Sequence, residues 1–480
     1  MTNIHLLAWC ALILGTSASA VFAHEGEEGH AHEPIAVKPA EMYQPTAMPD
    51  RIVLTWSGDP RTTQAVTWRT SVEVATGLAE IAEAEGGPNF PKQATQHKAI
   101  TEALKTDLNT AHFHSVNFEN LIPGTRYAYR VGDGVNWSEW FQFSTATEQP
   151  EPFSFIYFGD AQNNIRSMWS RVIREAYRDA PKAAFLLHAG DLINHADSDA
   201  EWGEWFGAGA WLNAMTPNVA IPGNHELAEG PNGTRRLTRH WRTSFAFPEN
   251  GPRGLEETCF TFVYHNLRII GLNSNELHQE QTVWLEKVLA ENKSPWVICT
   301  FHHPIYATNK YRDNADLRAL WKPLFDRYKV DLVLQGHDHA YGRTGFNVPG
   351  VNVPQSEFST FGAAVEQAKQ GADGKVKVGM VNVPTGVQNV DQQNGTVYVV
   401  SVSGPKMYDN ARFPFMLRNG EDIQLYQIIH VDGDKLRYEA RTAIGQLYDA
   451  FELRKQGKGV NNQLVEIPGE IPAVLRGAKP

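Results

Sequence analysis

Between Arg51 and Thr147 the chain reads as short runs of alternating or branched apolar residues, broken by turn chemistry. Ile52–Trp56, Ala65–Trp68, Ala111–Phe118, Thr125–Val131 and Trp140–Ser144 predict strands, with turns at Gly58-Asp59-Pro60 and Asp133-Gly134. Ala75–Leu104 shows no clear period and predicts longer loops. After Glu148–Pro152 the pattern changes to apolar runs of the buried-strand kind alternating with amphipathic stretches. Phe153–Phe158, Ala183–His188, Asn218–Ile221, Trp296–Phe301, Val330–Leu334 and Thr396–Val402 predict strands. Ile165–Tyr177, Asp199–Met215, Gln281–Leu289 and Ala315–Tyr328 predict helices. Cys259–Tyr264 and Leu267–Leu272 predict a hairpin, and Leu425–Tyr438 predicts two strands about Asp432-Gly433-Asp434. The expectation is an all-β sandwich over residues 50–148 and a layered α/β domain over 149–455. Residues 345–395 are expected to be an insertion or flap, and 456–480 a loose tail.

Layered α/β domains gather ligands at the carboxyl ends of their strands. Five predicted strand ends here deliver hard or borderline metal donors: Gly159-Asp160, Gly190-Asp191, Gly223-Asn224-His225-Glu226, His302-His303-Pro304 and Gly336-His337-Asp338-His339. Each block alone has a bland reading. An Asp after Gly caps a helix or closes a turn, and His-x-His is ordinary polar surface. Five such blocks at corresponding places in the strand order point to a metal site.

Charge and the N-terminal stretch narrow the picture. The formal charge is −11, and no basic stripe interleaves with aromatics, which argues against a nucleic-acid partner. Residues 1–23 hold no Asp, Glu, Lys or Arg, and the apolar run Leu6–Leu14 is too short for a membrane span. It is followed by the cleavage-like patterns Ala18-Ser19-Ala20 and Val21-Phe22-Ala23. A secretory signal peptide is expected, with a periplasmic or extracellular product and no stable membrane insertion. The His- and acid-rich His24–Glu33 is expected to be a solvated tail, with weak metal binding as the alternative, and a Pro-containing linker continues to residue 49. Cys259 and Cys299 both sit in strand-like runs and are expected to be separate buried thiols.

Taken in order, the five blocks resemble the dinuclear, calcineurin-like metallophosphoesterase family. With the preceding sandwich they resemble its purple acid phosphatase branch, to which Tyr127–Asp133 and Trp137–Phe141 are also similar. Leu121–Arg130 resembles the E–F corner of a fibronectin type III domain, where a Tyr hydroxyl returns to the backbone. The resemblance implies an α/β fold: a β-sheet sandwich flanked by helices, preceded by an all-β fibronectin type III-like sandwich. It implies two metal ions, iron, zinc or manganese. Asp191 would bridge them, Asp160 and His339 would complete the first site, and Asn224, His302 and His337 the second. A small phosphate monoester would be hydrolysed by attack of a metal-bound hydroxide. His225 would contact phosphate oxygens or protonate the leaving group. Glu226 would orient His225, or else be a helix-start carboxylate. His303, Tyr306, Tyr341 and Arg343 are candidate pocket residues, Arg343 either pairing with phosphate or forming a structural salt bridge.

The chain departs from the branch at one position. Purple members carry a Tyr three residues after the bridging Asp, and here that place holds Asn194. Charge-transfer colour should be absent and ferric iron less strongly held. Gln162 stands where many other metallophosphoesterases have a ligand His, so Asn194 or water would fill the first site. Two rival expectations are a phosphodiesterase acting on cyclic nucleotides or lipid head groups, and a catalytically inactive binding or scaffolding protein.

Overall fold

The structure, a computed structural model, describes residues 36–349, 390–391, 395–457 and 459–476. The expected signal peptide, the His-rich tail and most of the 345–395 insertion lie outside the described residues. No helix among the described residues is long and apolar enough to cross a membrane.

The N-terminal part is a sandwich of two four-stranded antiparallel sheets. One holds, in order, Asp50–Thr55, Gln64–Ser71, Thr110–Phe118 and Ile100–Lys105; the other Thr95–Lys98, Leu78–Glu83, Arg126–Gly132 and Phe141–Ser144. Inward-facing Leu54, Val66, Trp68, Val116 and Phe118 pack against Ile81, Tyr129, Val131 and Phe141 from the opposite sheet. The Tyr127 hydroxyl accepts a hydrogen bond from Ile122 N at 2.9 Å, the backbone return expected of the corner. The loops expected over Ala75–Leu104 are instead three strands. Thr95–Lys98 and Ile100–Lys105 are edge strands that expose nearly every side chain, so no apolar alternation marks them.

Two seven-stranded sheets follow. The first runs Asn218–Ala220, Leu186–His188, Phe153–Phe158, Leu425–Asp432, Lys435–Thr442, Leu447–Arg454 and Gln463–Ile467; its first three strands are parallel and the rest join antiparallel. The second runs Phe260–Tyr264, Leu267–Gly271, Trp296–Thr300, Leu332–Gln335, Val397–Val400, Tyr341–Thr344 and Met416–Gly420, with a parallel middle. The expected tail therefore supplies an edge strand, Gln463–Ile467. The Tyr157 hydroxyl donates to the Gln335 carbonyl, and Gln427 Nε2 donates to Ser401 Oγ at 2.6 Å, so polar pairs cross between the sheets. Helix Ser170–Asp179 packs on the first sheet, while His278–Ala290 and Ala315–Tyr328 pack together. Cys259 and Cys299 are separate, buried thiols, as expected.

The sandwich docks firmly. Tyr129 Oη donates to the Ala214 carbonyl at 2.6 Å, and Val53 and Trp56 belong to the main core. Asp199, at the start of helix Asp199–Gly209, pairs with Arg51 at 2.6 Å and Arg69 at 3.3 Å, and all three side chains are buried.

Candidate metal centre

Phe153–Phe158 and Leu186–His188 are parallel neighbours, so Asp160 and Asp191 leave the first sheet side by side. Trp296–Thr300 and Leu332–Gln335 are parallel neighbours in the second, so His302 and the His337–His339 run leave beside each other too. The loops meet closely. A Cβ on Gly336 would lie 2.2 Å from Asp160 Oδ1, and one on Gly223 would lie 2.2 Å from Asp191 Oδ1. Those positions have no room for a side chain. Asp191 and His337 have positive φ of 51° and 71°, which turn their side chains out of the strand direction.

Two groups of donor atoms result. His302 Nε2 lies 3.1 Å from Asn224 Oδ1, 3.1 Å from His337 Nδ1 and 3.2 Å from Asp191 Oδ2. His339 Nε2 lies 3.1 Å from Asp160 Oδ2 and 3.1 Å from Gln162 Nε2, and Gln162 Nε2 donates to Asp191 Oδ2 at 2.8 Å. Asp191 therefore stands between the groups. His302 Nδ1 donates to the Ala189 carbonyl at 2.9 Å and His339 Nδ1 to the Lys406 carbonyl at 2.9 Å, so each Nε2 faces inward. Asp160, Asp191, His302 and His339 are buried, whereas Asn224, His225 and His337 are partly exposed, so the cleft opens on their side.

The donor set suits cations. Asp160 Oδ2 and Gln162 Oε1 are buried without a hydrogen-bond partner, an arrangement that costs energy unless a positive centre occupies the space. Burial works against charge on His302, yet the Asp191 and Asp160 carboxylates raise it to about 9. Burial and the neighbouring His302 and His303 hold His337 well below its ordinary value, as a neutral ligand requires. Asp160 with Asp191 and His339, and His302 with His303 and His337, form two compact candidate metal groups.

Two family descriptions match the chain: the purple acid phosphatase N-terminal domain over residues 49–145, and the calcineurin-like phosphoesterase over 153–341. The chain thus carries a purple acid phosphatase-type N-terminal domain followed by a calcineurin-like phosphoesterase domain. An uncharacterized protein of Mycobacterium tuberculosis is 29% identical over 59% of this chain and 60% of its own length. A phosphoenolpyruvate phosphatase of Allium cepa is 26% identical over 58% of this chain and 59% of its own. The chain thus spans about three fifths of the length of these curated relatives. Purple acid phosphatase PPD1 from yellow lupin seeds shares the fold, with a TM-score of 0.65 at 17% identity over 85% of this chain and 74% of that one.

Several outer residues of this purple acid phosphatase-like centre sit differently from expectation. The Glu226 carboxylate accepts from Asp191 N, Leu192 N and Gly223 N at 2.8, 2.7 and 2.7 Å, so it caps the start of the Asn224–Glu226 turn, the helix-start alternative, and pins the Asp191 loop rather than orienting His225. His225 Nδ1 instead donates to the Asn194 carbonyl at 2.6 Å. The Asn194 amide bonds Asn163 at 3.0 Å and contacts His195, so it does not stand in for the missing Tyr; Gln162 is the side chain between Asp191 and His339. His303 does stay at the site, its Nδ1 on Ser274 Oγ at 2.9 Å and its ring 4.4 Å from that of His337. Tyr306 lies in an aromatic cluster with Tyr398 and Phe415. Tyr341 donates to Asp449 at 2.7 Å within the core. Arg343 forms the structural salt bridge, pairing Asp449 at 2.6 Å and Glu466 at 2.7 Å between the two sheets. Sequence reasoning missed Ser274, the Ala189 and Lys406 carbonyls, and Tyr408, whose ring stacks on His339 at 4.5 Å. Backbone acceptors leave no mark in residue type, and no motif flags Tyr408.

Proposed function

We propose that the chain is an exported, metal-dependent phosphoesterase acting on small phosphate monoesters. One observation carries the reading: Asp191 Oδ2 is 3.2 Å from His302 in one donor group and bonded at 2.8 Å to Gln162, which touches His339 in the other. In this reading Asp191 would be shared between two cations of the iron, zinc or manganese kind. Asp160 and His339, with Gln162 beside them, would hold one, and Asn224, His302 and His337 would hold the other. Two bound cations would polarise the phosphoryl oxygens and supply a hydroxide nucleophile near neutral pH. Asn224 gives an oxygen without adding negative charge against an incoming phosphate. His225, with Nδ1 committed to the Asn194 carbonyl, presents Nε2 to the open side of the cleft, to bind a phosphate oxygen or protonate the departing alcohol. The uncharged apolar stretch within residues 1–23 supports export.

The test is metal analysis joined to paired kinetics. Protein reloaded with Zn(II), Mn(II) or iron should bind about two ions per chain and hydrolyse p-nitrophenyl phosphate faster than its bis-ester. Faster diester turnover would overturn the monoester preference. Bound metal with turnover of neither ester would favour the binding or scaffold alternative. No visible charge-transfer band is expected with iron, because Asn194 replaces the phenolate donor.

A further inference from the structure

Beside His339 lies a concentration of positive charge that metal binding does not require. Tyr408 stacks on His339, ring centroids 4.5 Å apart, and its N–H donates to the His339 carbonyl at 2.8 Å. Two cations sit over that same Tyr408 ring, Arg312 Cζ at 5.2 Å and Lys406 Nζ at 5.5 Å from its centroid. Both are tied to the donor loop. Arg312 donates to the His337 carbonyl at 2.7 Å and to Asp338 Oδ1 at 2.8 Å, and Lys406 accepts His339 Nδ1–H on its own carbonyl at 2.9 Å.

The local charge is not balanced. Asp338 Oδ2 is already engaged by Thr308 N, Thr308 Oγ1 and Asn309 N. Asp409, next to Tyr408 in the chain, pairs with Arg476 at 2.5 Å. Lys406 has no ion pair among the described residues, while buried Arg51, Arg69 and Arg343 all have carboxylate partners. In a chain of net charge −11, two cations over one ring, only one of them paired, form a site that an anion would relieve. Lys406 and Tyr408 are both partly exposed, so a ligand can reach them.

We propose that Lys406 and Arg312, held over Tyr408, form a subsite for a second phosphate group of the substrate. The preferred substrates are then monoesters whose alcohol carries a second phosphate rather than esters of neutral alcohols. This rests on the phosphoesterase reading, and the probes are chosen to separate the two. Methylphosphonate and methylenediphosphonate present the same phosphonate head and differ by the second phosphonate. Lys406→Met removes the charge and leaves the backbone carbonyl that holds His339. Calorimetric titration of the full Zn(II)-loaded chain should show tighter binding of the diphosphonate. Lys406→Met should cut that preference about tenfold with methylphosphonate affinity unchanged, and Lys406→Arg should restore it. A preference unchanged in Lys406→Met, an equal loss for both probes, or binding of neither would overturn the subsite. Because binding is the readout, failure to turn over any phosphate ester would remove the phosphoesterase reading alone.

Discussion

At the scale of single residues, the centre is a problem of close approach. Gly336 leaves room for Asp160, since a Cβ there would sit 2.2 Å from Asp160 Oδ1, while His337 N donates to that same oxygen at 2.7 Å. Gly336→Ala should therefore displace Asp160 and loosen metal binding, seen as a loss of bound metal on gel filtration with the fold retained by circular dichroism. Full metal content in that variant would contradict the crowding argument. His225→Ala makes a different demand. Its imidazole contacts the Asn194 carbonyl and no proposed ligand side chain, so metal content should persist while kcat falls roughly ten- to ten-thousand-fold. Unchanged kcat would end the acid or phosphate-binding role. The donors were legible because Asp, Asn and His each follow a strand and most follow a Gly. The supporting contacts were only half legible: of the two expectations for Glu226, the helix-start carboxylate is the one met, since it accepts from Gly223 N at the start of the Asn224–Glu226 turn, while its bonds to Asp191 N and Leu192 N rest on loop geometry rather than residue type.

At the scale of elements, strands with buried apolar runs were readable and solvent-exposed edge strands were not. Phe153–Phe158 and Trp296–Thr300 are near-continuous apolar runs, and Ala315–Tyr328 has the bounds its periodicity implied. Gln463–Ile467 escaped notice because an edge strand with no fully buried residue has no apolar signature. The sandwich-to-domain joint was equally silent, since its key groups are charged. Asp199 meets Arg51 at 2.6 Å and Arg69 at 3.3 Å, and its side chain and theirs are at most 4% exposed. Removing the shared anion leaves Arg51 with only the residue-199 backbone carbonyl at 3.1 Å, while Arg69 keeps a carboxylate, Asp50 at 2.6 Å. Asp199→Ala should cost about 3–5 kcal/mol, measured as a lower urea midpoint, and should expose the joint to limited proteolysis. A change below about 1 kcal/mol would show that the joint relies on apolar packing instead.

At the scale of the whole molecule, buried titratable groups set how acid a medium the fold survives. His114 lies between Thr70 Oγ1 at 2.7 Å and Thr101 Oγ1 at 2.9 Å, and burial with nearby His112 lowers it to about 4. Burial lowers His188, despite its Asn218 partner, and also His240, despite Asp199, each to about 4. Between pH 6.5 and about 4 the unfolded chain binds protons on these histidines that the folded chain refuses, so stability rises with pH across that window and is lost on acidification. Glu257 acts in the opposite sense. Burial raises it to about 7 against the pull of Arg242, so the folded form holds its proton more tightly between pH 4.5 and 7 and acidification relieves it. Outside the metal centre, the histidines displaced downward, with His265 and His430 among them, outnumber the buried carboxyls displaced upward, Glu257 and Asp331. The thermal midpoint should therefore fall steadily from pH 6.5 toward pH 4.5 in differential scanning calorimetry of the metal-loaded protein. A midpoint that held level or rose over that range would mean that the three imidazoles can take up protons in the folded state. The consequence for function is direct: an acid pH optimum, if the chemistry favours one, would lie where this fold is losing stability.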